Sequence, residues 1–161
     1  MDETRWLSAE ERAVWLRLAA VLELLPGVLD AQLQRDEGLS HFEYFTLAML
    51  SEAPERTLRM STLADRTNAT LPRLSRVVSR LESRGYVQRV PCPADGRATN
   101  AVLTEAGWQK VVRAAPGHVT HVRETVLDPL TPALVRELGV ICDRLLEGID
   151  PDEKMFARAD L

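Results

Sequence analysis

Cysteine is scarce in this 161-residue chain, and the two present, Cys92 and Cys142, lie far apart with no CxxC or other metal-ligand spacing. That excludes a disulfide framework and a cysteine-built metal module. No run of 18 or more apolar residues occurs, so nothing reads as a membrane-spanning helix. The opening stretch MDETRWLSAEER is acidic and polar where a secretory leader would be basic and then apolar, which predicts a cytoplasmic protein. There is no Gly-rich phosphate loop, no HExxH and no nucleophile with a companion base, so no enzyme class and no cofactor is indicated. Nine prolines and eight glycines fall mostly at helix starts and turns, leaving no low-complexity segment, linker or internal repeat.

What is present is one core's worth of apolar residues and a sharp asymmetry of charge. A 45% hydrophobic content over 161 residues suits a single domain with two lobes. From Arg56 to Ala101 nine arginines stand against three acids, Asp65, Glu82 and Asp95. That segment carries +6 in a chain of net charge −4, so the remainder carries −10. A cationic module inside an acidic protein points to a polyanionic partner.

The order of elements is legible from caps and periodicity. Ser8 with Glu11, and Ser40 with Glu43, each form a capping box ahead of an amphipathic helix. The first helix carries Trp15, Leu18, Leu22, Leu25, Leu29 and Leu33 at spacings of three and four, and Pro26-Gly27 predicts a kink in it. The second presents Phe42, Phe45, Leu47 and Leu50 and ends at Ala53-Pro54. Ser61 is the expected cap of a short third helix with Leu63 and Ala64 inward, and Asn68 to Thr70 makes a turn. Thr70 then caps a fourth helix with Pro72 in its first turn, where a missing amide hydrogen does little harm. At 100° per residue, Leu71, Leu74, Val78 and Leu81 share its apolar side, and Arg73, Arg76, Arg80 and Arg84 cluster roughly 120° away. Gly85 stops it, and Tyr86–Val90 and Ala98–Leu103 read as a hairpin. Thr104 caps a fifth helix expected to break at Pro116-Gly117, and Thr131-Pro132 opens a sixth with Leu134, Leu138, Ile141, Cys142 and Leu145 on one side.

Helix, turn, basic helix and basic hairpin in that order make a winged helix-turn-helix, so the expected fold is mostly α with a small β-hairpin wing and a helical dimerisation lobe. The expected division places the DNA-binding lobe at 36–107 and the dimerisation lobe at 8–35 and 108–148, within one domain spanning 1–161. An α-helix fits the major groove, and arginine there pairs with guanine or phosphate. A mixed-sign helix face is ordinarily just solvated, but Glu82 is the only acid between Thr70 and Gly85. Arg73, Arg76 and Arg80 are therefore assigned to the major groove, with hydroxyl contacts from Thr70, Ser75 and Ser79; Ser75 faces either the duplex or a neighbouring helix. Arg89 adds cationic charge to the hairpin, and Arg97 at its tip falls at the adjacent minor groove. Asp95 cannot gain by touching DNA but can orient an arginine, Arg97 or Arg89. The first, fifth and sixth helices carry more apolar surface than one small winged helix covers, which predicts a homodimer.

The segment running from Leu63-Ala64 through Leu81-Glu82, Gly85, Arg89, Asp95 and Arg97 to Leu103-Thr104 and Gly107 resembles the MarR family of bacterial transcriptional regulators. It spans about a third of the chain, and Gly96 stands where many members have a second wing arginine. The resemblance implies a homodimer interlocked through the first, fifth and sixth helices, bound to a pseudo-palindromic operator in double-stranded DNA. It also implies repression relieved by a small aromatic or anionic effector in a crevice between the lobes. Trp15, His41, Tyr44, Trp108 and His118 are the polar-aromatic residues available there, although each residue type is commoner in core packing or on a surface.

His118 and His121 have a spacing that puts two imidazoles on one helical face, yet no third ligand is apparent, so no metal site is assigned. Cys92, between two prolines of the wing, is expected to be exposed, and its oxidation would disturb a bound duplex. The rival to a DNA-binding regulator is a protein-interaction module whose arginines meet an acidic surface; it would show no preference among duplexes.

Overall fold

The computed structural model describes residues 4–156. Six α-helices and three strands follow in the order α1 (Ala9–Glu37), α2 (His41–Glu52), β1 (Thr57–Arg59), α3 (Met60–Arg66), α4 (Leu71–Ser83), β2 (Val87–Cys92), β3 (Asp95–Leu103), α5 (Glu105–Val122) and α6 (Pro132–Ile149). A 3-10 turn, Pro54–Arg56, precedes β1, and a π-helical turn, Arg123–Leu127, follows α5. The mostly helical winged fold expected from the sequence is the one observed.

Local chemistry sets most of these boundaries. Ser8 and Ser40 form complete capping boxes with Glu11 and Glu43, and α1 ends at Gly38, whose φ of 61° is the left-handed value that favours glycine. Thr70, Thr104 and Thr131 cap α4, α5 and α6 through their hydroxyls. The third helix differs from expectation: Arg59 occupies its cap position but its side chain bonds no amide of the helix, and Ser61 lies inside the helix. The chain enters α3 directly from β1, so strand pairing fixes the entry that a cap would otherwise fix.

The break expected at Pro116 does not occur, and the first helix continues past Pro26 as its periodicity predicts. Helix α1 runs through Pro26 and α5 through Pro116. An interior proline costs about 3 kcal/mol, but both helices gain from packing close by. Leu29, Gln32 and Leu33 are buried after Pro26, and Val111 and Ala114 before Pro116. Across this contact Lys110 Nζ bonds Glu37 at 2.7 Å, and His118 Nδ1 meets Gln32 Oε1 at 3.3 Å.

The sheet has three strands in the order β1-β3-β2, all antiparallel. The hairpin is longer than expected, with Cys92 paired to Asp95 across the turn and an irregular register at Pro91. Pro91 is tolerated because β2 is an edge strand. The core lies between α2, α3, α4 and the sheet, with Leu39, Leu47, Leu50, Leu63, Leu74, Val78 and Leu81 fully enclosed. Val77 completes the apolar side of α4, whereas Leu71, assigned there from the sequence, is 51% exposed. As the first residue of α4 it stands beyond the edge of the core, which begins at Leu74.

Helix α6 has no buried residue, and Leu134, Leu138, Ile141 and Leu145 are exposed along it. On α1, Trp15, Leu16, Leu22 and Leu24 are exposed as well. No helix among the described residues is long and apolar enough to cross a membrane.

Candidate nucleic-acid interface

Helix α4 and the β2–β3 hairpin form one cationic surface, and its side chains divide into held and unpaired ones. Arg80 and Arg84 are held by Glu43, a nearly buried carboxylate on α2: Arg80 Nε lies 3.2 Å from Oε1 and Arg84 Nη1 3.8 Å from Oε2. Glu43 Oε2 also accepts the backbone N–H of Ser40 at 2.9 Å, so one carboxylate caps α2 and anchors α4 to it. Arg84 further donates to the carbonyl of Gly38 at 3.1 Å. Arg73 stacks its guanidinium 4.3 Å from the centre of the Phe42 ring. Arg76 is exposed, and no ion pair or hydrogen bond engages its guanidinium among the described residues.

The hydroxyls near this stripe are partly committed. Thr70 Oγ1 accepts the backbone N–H of Arg73 at 3.4 Å, as expected of a cap. Ser79 Oγ accepts from Arg89 Nη2 at 3.0 Å. Ser75 is half-buried and lines an open cleft of about 500 Å³ beside Met60, Leu71 and Arg89.

Arg89 is a strut between the wing and α4. Its Nη2 and Nε reach Glu82 Oε2 at 2.7 and 3.0 Å, and its backbone N–H donates to Glu82 Oε1 at 3.1 Å. The Arg89 side chain, with help from its amide, holds the Glu82 carboxyl below the usual carboxylate range. The pair is a third exposed, so its worth lies in geometry more than in stability.

At the wing tip the orienting role expected of Asp95 falls on a different arginine. Asp95 Oδ2 lies 3.3 Å from Arg59 Nη2, while Oδ1 accepts the backbone N–H of Arg97 at 3.1 Å. Neither the Arg97 nor the Arg89 guanidinium is the one Asp95 holds. Arg97 is exposed, and its guanidinium has no partner among the described residues. Arg59 was not singled out from the sequence, because its partner is brought close only by the pairing of β1 with β3. Cys92 is half-buried, not exposed, and Arg59 Nη2 lies 3.9 Å from its sulfur. The Ala94 amide and then Arg59 lower the pKa of that thiol.

The hairpin is fastened at its base by the LTEAG segment. Thr104 donates its backbone N–H to Tyr86 O at 3.0 Å and its hydroxyl to Gly85 O at 2.6 Å, and Thr104 Oγ1 accepts the N–H of Gly107 at 3.0 Å. Gly107 is required there, since a Cβ would collide with the Tyr86 carbonyl oxygen and lie 2.7 Å from Leu103 Cδ1.

Of the five polar-aromatic residues proposed for the crevice, three come together. The Tyr44 and His118 rings lie 4.6 Å apart, and His41 is 5.9 Å from His118. Burial lowers the pKa of both histidines, and for His118 the neighbouring His41 and His121 act in the same direction. Burial raises the Tyr44 hydroxyl. Trp15 stands apart on the exposed face of α1, and Trp108 packs under Arg56, whose guanidinium is 4.2 Å from its ring. Among the described residues no three His, Cys, Asp or Glu side chains are grouped to hold a metal.

This geometry has close counterparts. A sequence profile described as MarR family matches residues 37–98. The chain is 46% identical to Sco3205 of Streptomyces coelicolor, a MarR family transcriptional regulator whose structure was solved in complex with DNA; the match covers 95% of this chain and 96% of that one, with a TM-score of 0.89. The chain is 37% identical to AbsC, another MarR family transcriptional regulator of Streptomyces coelicolor, over 92% of this chain and 97% of that one, with a TM-score of 0.83. The HTH-type transcriptional repressor YetL of Bacillus subtilis is 29% identical over 111 residues, 67% of this chain; the match spans 66% of YetL, just under two thirds of its length.

Proposed function

The chain belongs to the MarR family of transcriptional regulators, and from that premise we propose that it is a homodimeric, effector-responsive repressor that binds a pseudo-palindromic operator in the cytoplasm. The observation that carries the DNA-binding part is the braced cationic surface of α4 and the wing, with Arg76 and Arg97 exposed on it and without a partner among the described residues. Within the lobe at 36–107, Arg73 and Arg76 meet the major groove and Arg97 the adjacent minor groove. Arg80 is anchored by Glu43 and meets the phosphate backbone, where a fixed cation positions without reading sequence. Thr70 and Ser75 add backbone contacts; Arg89 holds the wing against α4 through Ser79 and Glu82, and Asp95 ties the wing tip to β1 through Arg59.

The dimer is supported by the unburied apolar faces of α1 and α6, the parts of the dimerisation lobe at 8–35 and 108–148 that one chain leaves uncovered. Burying a leucine or isoleucine side chain is worth about 1.5–3 kcal/mol, so a few of them suffice to drive association. Trp15 belongs to this face and not to an effector crevice. Two copies related by a two-fold axis require inverted half-sites one or more helical turns apart. The effector part is supported by the cluster of His41, Tyr44 and His118 at the junction of α1, α2 and α5, whose aromatic rings and polar tips suit a small aromatic anion.

Selection of bound duplexes from a random pool by the purified protein, with its mass in solution measured alongside, tests the proposal. An enriched inverted repeat bound at twice the chain mass is the expected result. Retention of duplexes with no enriched sequence would contradict it and favour a protein-interaction module.

A further inference from the structure

Between residues 36 and 107, Leu71 is the only large apolar side chain among the described residues that is exposed. The other exposed ones in the molecule lie on α1, α5, α6 and the segments flanking them. Leu71 is not a core residue that the fold failed to cover: it is the first residue of α4, after the Thr70 cap and before Pro72. In helix-turn-helix proteins the N-terminal residues of the recognition helix are the ones that reach base edges. Leu71 also lines the open cleft of about 500 Å³ whose wall includes Met60, Pro72 and Ala98, with Arg59 and Arg89 on the same wall. An apolar recess bordered by guanidiniums matches a surface that is polyanionic along its edge and apolar at one point within. The major groove offers one such point, the C5-methyl of thymine, the only apolar group there larger than a single hydrogen.

We propose that Leu71, with Pro72 beside it, is a specificity-determining residue that reads a thymine methyl in each half-site of the operator. The assignment rests on the operator-binding reading above and adds to it an apolar contact among arginine contacts. Leu71 discriminates thymine from cytosine through the methyl alone, while Arg73 and Arg76 supply the polar readout.

The test uses the duplex selected from a random pool. Each thymine is replaced in turn by deoxyuridine, which removes only the C5-methyl and keeps the pairing edge. For the wild-type protein, one replacement per half-site is expected to weaken binding about fourfold, the value of one buried methyl group. For Leu71→Ala the same replacement changes affinity less than about twofold, and Leu71→Met restores the sensitivity. Because Leu71 is half-exposed, the alanine variant keeps the wild-type fold, which its circular dichroism and melting temperature check directly. Sequence-selective binding with no thymine responsive to the replacement overturns the assignment alone, as does a response that Leu71→Ala leaves intact. Failure to select any sequence contradicts the operator reading and removes this inference with it.

Discussion

Asp95 accepts the backbone N–H of Arg97 at 3.1 Å through one carboxylate oxygen and meets Arg59 at 3.3 Å through the other. The wing tip is thereby tied to β1 while the Arg97 guanidinium has no partner among the described residues. Removing the guanidinium in Arg97→Ala should weaken binding to all duplexes and lower the slope of log affinity against log salt by about one per protomer. Asp95→Ala should weaken binding less, and little further in an Arg97→Ala background, because it acts through that arginine. Wild-type affinity and slope for Arg97→Ala would show that the wing does not touch DNA.

Gly107→Ala is expected to be among the most damaging single methyl additions in the chain. The new Cβ would collide with the Tyr86 carbonyl oxygen, a backbone atom that also accepts from Thr104 and cannot withdraw. A loss of about 1–3 kcal/mol follows from overpacking of this kind, measurable by urea denaturation. An unchanged midpoint would mean that the base of the wing yields easily.

Lys110 and Glu37 join α5 to the end of α1 by a 2.7 Å ion pair in which the side chains are only 7% and 14% exposed. Lys110→Met leaves Glu37 with Arg113 alone, at 3.3 Å, and should cost about 3 kcal/mol, the low end for a broken buried pair. The hydrogen bond from Lys110 lowers the Glu37 pKa below its unfolded value. The linked stability is therefore fully present above the unfolded carboxyl pKa of about 4.3 and is lost as pH falls through the lower folded value. Denaturation midpoints between neutral pH and pH 3 should fall less steeply for Glu37→Gln than for the wild type.

His41 and His118 titrate in the same direction for a different reason. Burial lowers both folded pKa values, so the neutral rings stabilise the fold above the unfolded value of about 6.5, and this contribution is lost as pH falls below it. A melting temperature that drops on acidification from pH 7 toward pH 5, and drops less in His118→Gln, is the expected pattern. Equal pH dependence in the two proteins would place the responsible groups elsewhere.

What the sequence disclosed followed from how local each determinant is. The serine and threonine caps sit within three residues of the amides they bond, so all five helix starts they mark were readable. The strand β1 was not, since three residues carry no alternation and it exists only because β3 lies alongside. The continuity of α5 through Pro116 was not legible, because the burial of Val111 and Ala114 just before it outweighs a local penalty. Arg80 and Asp95 were singled out, but their partners Glu43 and Arg59 lie 37 and 36 residues away, beyond any spacing rule. The arginine stripe of α4 was legible as a stripe; which of its members are braced and which are unpaired was not.

The measurement that reaches the central claim most directly is titration of the selected duplex against the same duplex with one half-site scrambled, with the sedimenting mass of each complex recorded. A two-fold dimer on an inverted repeat predicts two chains per intact duplex and a loss of at least about a hundredfold in affinity on scrambling. One chain per duplex, with equal affinity for the intact and the scrambled site, would contradict it.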